Sequence, residues 1–477
     1  MKSNIFFNRE NWLLIFLFIF SILINQYYGN RGIFPVDSFG NFDAGFRILL
    51  GEHPFKDYWA NTGPIIDYIQ ATFFYLFGIS WQSYVLHASL LNGILTITTF
   101  LVLRKFKLNI FYSFFYSLFF SILAYPSSGT PFVDHHSAFF SLLGVYFLIL
   151  AIKEEKNIYW ILFPLLFGFA FLSKQTPASY IILFSIIILI LYLITQKKFN
   201  WIKYSLISTF LFIFVLFTFG TIKGINLNLF LDQYLFFPKN IGSQRFENFN
   251  FSFRGVIDHF KFIYLSILPI FFVNIKNVFL KNNYFKEKEF IYFLILFTFF
   301  ISLLSHQLLT KNQTFIFFLI PILTAFSQIS LGFNKTRLNS FLCFAMLLIC
   351  LFATLKYHHR YNQDRKFHEL SYVNFSLSAD ATEIDNKFFG LKWITPEFKE
   401  NPDYEIFLIN EVKSHLKNDK RKKMLMTNYS FFSIILNEKF YYPGRWYASD
   451  GTTHPLIGNK YFESYKNLLI RLIKENN

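Results

Sequence analysis

Eleven apolar stretches dominate this chain and constrain its fold more than any other feature. They run near 11–28, 82–103, 109–125, 137–152, 158–172, 178–195, 204–222, 261–279, 289–305, 313–331 and 338–356. A helix crossing a bilayer needs about 20 mostly apolar residues. These runs are continuous rather than alternating, which excludes a spanning β-barrel. The run 261–279 is the weakest, because Lys276 interrupts it. Hydrophobic residues make up 54% of the 477 positions, 71 are Phe, and only 16% are charged. An average soluble domain carries roughly 25% charged residues and has no interior large enough for this much Phe. The expected fold class is therefore an α-helical polytopic membrane protein of eleven spanning helices. The first run is followed by no small-residue cleavage pattern and reads as an anchor. Cys343 and Cys350 share one apolar run and imply no disulfide framework or metal spacing.

Lys and Arg orient the helices. Lys2 and Arg9, the run Arg104-Lys105-Phe106-Lys107, Lys153 and Lys156, and Lys197, Lys198 and Lys203 fall on one side, continued by Lys276 to Lys288, Lys335 and Arg337. In short loops such a bias marks the cytoplasm. The N-terminus is expected inside, while the long loops 29–81 and 223–260 and everything after Lys356 face outward. Much of the formal charge of +16 is thereby the orienting bias, with no need of a nucleic-acid partner. The apolar segment Pro64 to Ser80 would upset this parity if it spanned. It carries Asp67 and Gln70 and is placed along the outer interface.

Residues 357–477 are polar. Asn401 to Leu416 reads as a helix, Lys422 to Thr427 as a strand and Ser430 to Leu436 as a short helix, together a small mixed α/β domain outside the membrane. Residues 1–356 form the transmembrane domain in this division.

The polar chemistry gathers in the outer loops. In the first, Phe39, Phe42, Phe46, Leu49 and Leu50 recur at helical spacing, so a helix is expected on the outer membrane surface. Asp37 or Ser38 caps its start and Gly51 stops it. A carboxylate in that position is both a cap and a fixed acid facing an outward cavity. In the second loop Asp134, His135 and His136 open the next helix, and Asp134 is either its N-cap or an acid facing a cavity. Adjacent histidines rarely reach one metal ion, so metal is the weaker reading of that group. Lys174 lies alone between two helices in the third loop, and Lys311 occupies a similar loop further on. Snorkelling to lipid phosphate accounts for either; convergence on the phosphate of a substrate is the sharper reading. Arg254 sits among aromatics in the fourth loop, which suits a lid.

Asp37, the stretch Gly51-Glu52-His53-Pro54-Phe55-Lys56-Asp57-Tyr58-Trp59, Gly63-Pro64 and Phe77-Gly78 resemble the first outer loop of GT-C glycosyltransferases. This superfamily includes protein O-mannosyltransferases and the aminoarabinose transferase of lipid A. Asp134, the segment Gly168 to Lys174 and the stretch from Asn312-Gln313 to Pro321 add to the likeness, which extends over nearly the whole chain. The resemblance implies a polyprenyl monophosphate-linked sugar as donor and transfer on the outer face of the membrane. The expected reaction is a single inverting displacement that moves a hexosyl or pentosyl group to a glycolipid, glycan or protein hydroxyl, and richness in Phe, Ile, Asn and Lys fits a bacterial plasma membrane protein. The resemblance also implies that Asp37 acts as general base or positions the acceptor, and that Asp134 contributes a second site acid. From the loop chemistry itself, Lys174, Lys311 and Arg254 are expected to stabilise a departing phosphate, with Asp57, His135 and His136 as further substrate-binding candidates. No cofactor is fixed by the likeness, and a divalent metal stays open. The chain departs from the lipid A branch, which has an acidic pair where Asp37-Ser38 stands and a Lys before the loop-one Pro where Gly63 stands.

Two other classes compete. An O-antigen ligase or polymerase shares the helix count and large outer loops, but takes a diphosphate-linked oligosaccharide. A lipid-linked sugar transporter or flippase would carry polar groups in mid-helix; these helices are almost uniformly Phe, Leu and Ile.

Overall fold

The computed structural model describes residues 9–197, 199–247, 252–310, 316–332, 337–448 and 450–476. From the N-terminus come α1 (Arg9–Gly29), a one-turn α2 (Pro35–Ser38), α3 (Gly40–Leu49) and α4 (Pro64–Phe77). The bundle continues with α5 (Trp81–Lys105), α6 (Ile110–Leu123), α7 (Val133–Glu154), α8 (Asn157–Ser173), α9 (Gln175–Gln196) and α10 (Ile202–Ile222). A short α11 (Leu227–Phe230) and α12 (Phe237–Glu247) precede α13 (Lys261–Leu280), α14 (Lys288–Thr310), α15 (Leu319–Gly332) and α16 (Arg337–Tyr357). Each of the eleven expected stretches holds a helix, that of 313–331 beginning only at Leu319. Nine of them, among the described residues, are long and apolar enough to cross a membrane, the 261–280 helix included; α8 and α15 are shorter. The chain is a multi-span helical membrane protein.

Burial sorts the bundle from centre to edge. In α7, 94% of the apolar window is buried inside the protein, against 11% in α10. A helix apolar on all sides fits both places, because lipid replaces protein at the edge. Polar side chains inside the bundle pair across helices. Asn25 Nδ2 donates to Ser89 Oγ at 2.9 Å and to the Gly129 carbonyl at 3.1 Å, and Asn92 Nδ2 donates to the carbonyls of Ser21 and Ser121 at 3.1 Å each. Gly29 and Gly129 allow the closest approach: a Cβ at Gly29 would stand 2.6 Å from the Gly129 carbonyl oxygen. Helix starts are set by local chemistry. Ser80 and Asn109 accept backbone N–H bonds at the starts of α5 and α6. Gly63, in the left-handed region, precedes Pro64 at the start of α4.

Because consecutive spans alternate in direction, the loops after α1, α6, α8, α10, α14 and α16 lie at one end of the bundle. The C-terminal region packs on that end. It holds α17 (Pro402–Asn418), α18 (Phe432–Leu436), α19 (Phe462–Asn476) and a two-stranded antiparallel sheet of β1 (Ala379–Asp380) and β2 (Lys392–Trp393). The strand expected over Lys422 to Thr427 does not form; Lys423 makes only an isolated bridge to Phe440. The side chains of that segment divide between two cores, Leu425 packing against the one that holds Phe39 and Met424 against the one that holds Trp59.

The aromatic face of α3 is covered by protein. Phe39 and Phe42 pack with Trp81, Phe388, Trp393 and Phe431 in one core, with the Phe39 and Phe431 ring centroids 4.6 Å apart. Periodicity identifies that face correctly, but its cover is the C-terminal region rather than a membrane surface. Three polar links complete the junction. Arg445 pairs with Asp67 at 2.5 Å, Ser433 donates to Asp43 at 2.5 Å, and Arg47, itself paired with Glu52, donates to the carbonyls of Tyr442 and Gly444. Arg365 binds from a different angle, donating to the carbonyls of Arg31, Pro126, Ser127 and Ser128.

Candidate active site

A cavity of about 650 Å³ opens where these loops meet the C-terminal region. Asp37, Asp134 and Lys174 all line it, as do His306, Lys239 and Trp446. Separate elements deliver them: α2, the first turn of α7, the α8–α9 junction, the last turns of α14, α12, and the segment after Arg445. No pair of these residues is close in sequence, so the fold alone assembles the site.

Asp134 is the hub. Its Oδ1 and Oδ2 accept from Lys174 Nζ at 2.8 and 2.7 Å, and Oδ1 pairs with His306 Nε2 at 2.7 Å. Asp134 is buried, and it occupies the first turn of α7, where the helix dipole favours an anion. The N-cap of α7 is Phe132, without a side-chain bond, so the capping reading of Asp134 does not hold. The reason is electrostatic: the Lys174 ammonium and the His306 imidazole satisfy the carboxylate better than backbone amides. Lys174, in extended conformation between α8 and α9, is kept in place a second time by Ser137 Oγ, which donates to its carbonyl.

Asp37 is the second acid. It lies within α2, whose cap is Phe34, while α3 starts after Phe39 with no side-chain cap, so Asp37 is not the expected N-cap either. Ser38 satisfies the backbone there, its Oγ accepting from Phe34 N–H at 3.2 Å. This leaves the Asp37 carboxylate turned to the cavity. Burial, reinforced by the nearby Asp134 carboxylate and only partly offset by Lys174, pushes its pKa from 3.8 up to about 7.

The remaining sequence candidates fall elsewhere. Asp57 Oδ2 accepts from His53 N–H at 2.8 Å and holds a turn in the first loop. His135 and His136 are buried in the bundle: His135 meets Ser127 Oγ at 3.1 Å, and His136 joins Tyr125 and His87 through its two nitrogens. Arg254 is exposed and lines no part of the cavity. Lys311 and Asn312-Gln313 lie outside the described residues. In place of Arg254, the fourth loop contributes Lys239, an exposed ammonium on the cavity wall. His306 stands in the sequence shortly before Lys311, in the same polar stretch, while Lys239 and Trp446 carry no motif at all.

A metal does not fit the donor set. Among the described residues no three His, Cys, Asp or Glu side chains converge as ligands, and both Asp134 oxygens are already engaged by Lys174, one of them also by His306. No step below is routed through a metal.

No curated protein matches the chain. Residues 57–222, which hold Asp134 and Lys174 but not Asp37, match the model of the dolichyl-phosphate-mannose-protein mannosyltransferase family, a likeness that supports a membrane glycosyltransferase of the GT-C, polyprenyl-phosphate-sugar kind.

Proposed function

We propose that the chain transfers a hexosyl or pentosyl group, with inversion, from a polyprenyl monophosphate to a hydroxyl of a glycolipid, glycan or protein acceptor. The reaction takes place on the outer face of a bacterial plasma membrane. Residues 1–356 form the catalytic transmembrane domain and 357–477 an extracytoplasmic domain, with the N-terminus in the cytoplasm. The positive bias of the opposite loops supports that orientation.

One observation carries the reading: a half-buried carboxylate with a pKa of about 7 shares a cavity with a lysine held by a second acid. A base is most effective when its pKa lies near the working pH. Ionised Asp37 accepts the acceptor's hydroxyl proton as that oxygen attacks the anomeric carbon. The bond from that carbon to the phosphate oxygen breaks, and the polyprenyl phosphate leaves with the electron pair. Lys174 keeps one N–H beyond its two bonds to Asp134, and with Lys239 it stabilises the charge that grows on the phosphate. The sugar–phosphate bond supplies the driving force.

The test is sugar transfer in membranes carrying Asp37→Asn at wild-type abundance. Activity falls by about 10² or more if Asp37 is the base; full activity overturns that role.

A further inference from the structure

Resting on that reading, we propose that the acceptor presents a sugar ring, and that Trp446 is the platform on which the ring stacks. Trp446 comes from the far end of the chain, yet it sits beside the base. Its Cε3 lies 2.8 Å from where a Cβ at Gly40 would stand, and Gly40 follows Asp37 by three residues, roughly one helical turn. Only glycine at position 40 admits the indole there.

Two neighbours hold the ring, Gly40 and Arg445. The Arg445 guanidinium lies 5.3 Å from its centroid, and Arg445 is itself locked to Asp67. Among the described residues no aromatic ring stacks on Trp446, and it remains half-buried while lining the cavity. An indole fixed in this way offers a flat, electron-rich surface, which suits the C–H face of a pyranose. Polar groups stand around it: Asp450, Thr452 and Asn61 line the same cavity, as hydroxyl-bearing ligands require. A peptide serine or threonine presents one hydroxyl on a flexible chain and has no use for such a surface. Trp446 stands close to Asp37, where the nucleophile must arrive, while Lys174 and His306 meet on Asp134.

The experiment uses the full chain in detergent and saturation-transfer NMR with maltotriose, chitotriose and xylotriose, and with a Ser/Thr-containing hexapeptide amide. At least one saccharide is expected to give contact signals that survive Trp446→Phe and Asp37→Asn. In Trp446→Ala binding should weaken about tenfold. Gly40→Ala, which displaces the indole without removing it, should weaken the same saccharide. The peptide should give no signal that depends on Trp446. Saccharide signals unchanged in Trp446→Ala and Gly40→Ala, no saccharide bound by the wild type, or a peptide signal lost in Trp446→Ala would each overturn the proposal. Transfer by Asp37→Asn at the wild-type rate, with the saccharide contacts intact, would instead count against Asp37 as base and leave the platform standing.

Discussion

Replacing Arg445 with Met should loosen the C-terminal region from the first loop, and the size of the effect follows from the burial of its partner. The side chains of Arg445 and Asp67 are 2% and 0% exposed, and their contact is 2.5 Å. Asp67 also accepts from Tyr58 at 3.0 Å, but its Oδ1 has no hydrogen-bond partner. Removing one member of such a pair leaves a buried charge without compensation and costs about 3–5 kcal/mol. Burial already pushes the Asp67 pKa up to about 6 against the pull of Arg445. Without Arg445 the pKa rises further, so the carboxyl escapes the penalty at low pH by staying protonated. The destabilisation is therefore small at pH 5.5 and grows as pH rises through about 6. Trp59 N–H, which donates to the Pro443 carbonyl at 2.9 Å across the same junction, reports the opening by hydrogen exchange. A loss of about 3 kcal/mol speeds exchange at that amide roughly a hundredfold at pH 8, relative to wild type at the same pH. Asp67→Asn combined with Arg445→Met removes both charges and should recover most of the protection. Exchange within about threefold of wild type at pH 8, or an equal effect at pH 5.5 and pH 8, would refute the reasoning.

Further outcomes concern the chemistry. Transfer by the wild type should rise with pH through about 7, because the ionised form of Asp37 is the active base and is fully present only above that value; a rate flat between pH 5.5 and 8.5 would contradict it. Lys174→Ala should lower kcat by about 10²–10³, with Lys174→Arg retaining part of the activity because a guanidinium also pairs with Asp134; an unchanged kcat in the alanine variant removes Lys174 from the leaving-group role.

The helices were legible because lipid demands long apolar runs with nothing to interrupt them, and even Lys276 did not break α13. Caps were less legible. Asp37 and Asp134 both looked like N-caps, since Asp at a helix start usually is one, yet tertiary neighbours claimed Asp134 and the cavity claimed Asp37. The aromatic stripe Phe39, Phe42 and Phe46 announced a buried face without naming its partner. Periodicity records that a face is covered and is silent about whether lipid or protein covers it. Trp446 was invisible for a related reason: its place beside Asp37 depends on the docking of a region that starts some 300 residues later, and no local pattern encodes such docking.

Asp134 links the two halves of the reaction, and this coupling can be tested directly. Its carboxylate holds Lys174 for the leaving phosphate, and after burial it is the largest influence raising the Asp37 pKa. In Asp134→Asn both effects reverse together: the repulsion on Asp37 disappears, and Lys174, no longer neutralised, attracts the Asp37 carboxylate more strongly. Asp37 then ionises at lower pH, so the acidic limb of the rate profile moves below its wild-type position near 7 while the maximal rate falls, since a loosened lysine stabilises the departing phosphate less well. A purely structural role for Asp134 would lower the plateau and leave the limb where it was. A limb displaced upward would mean that Lys174, released from Asp134, withdraws from Asp37, and that its lost attraction outweighs the relieved repulsion between the two acids.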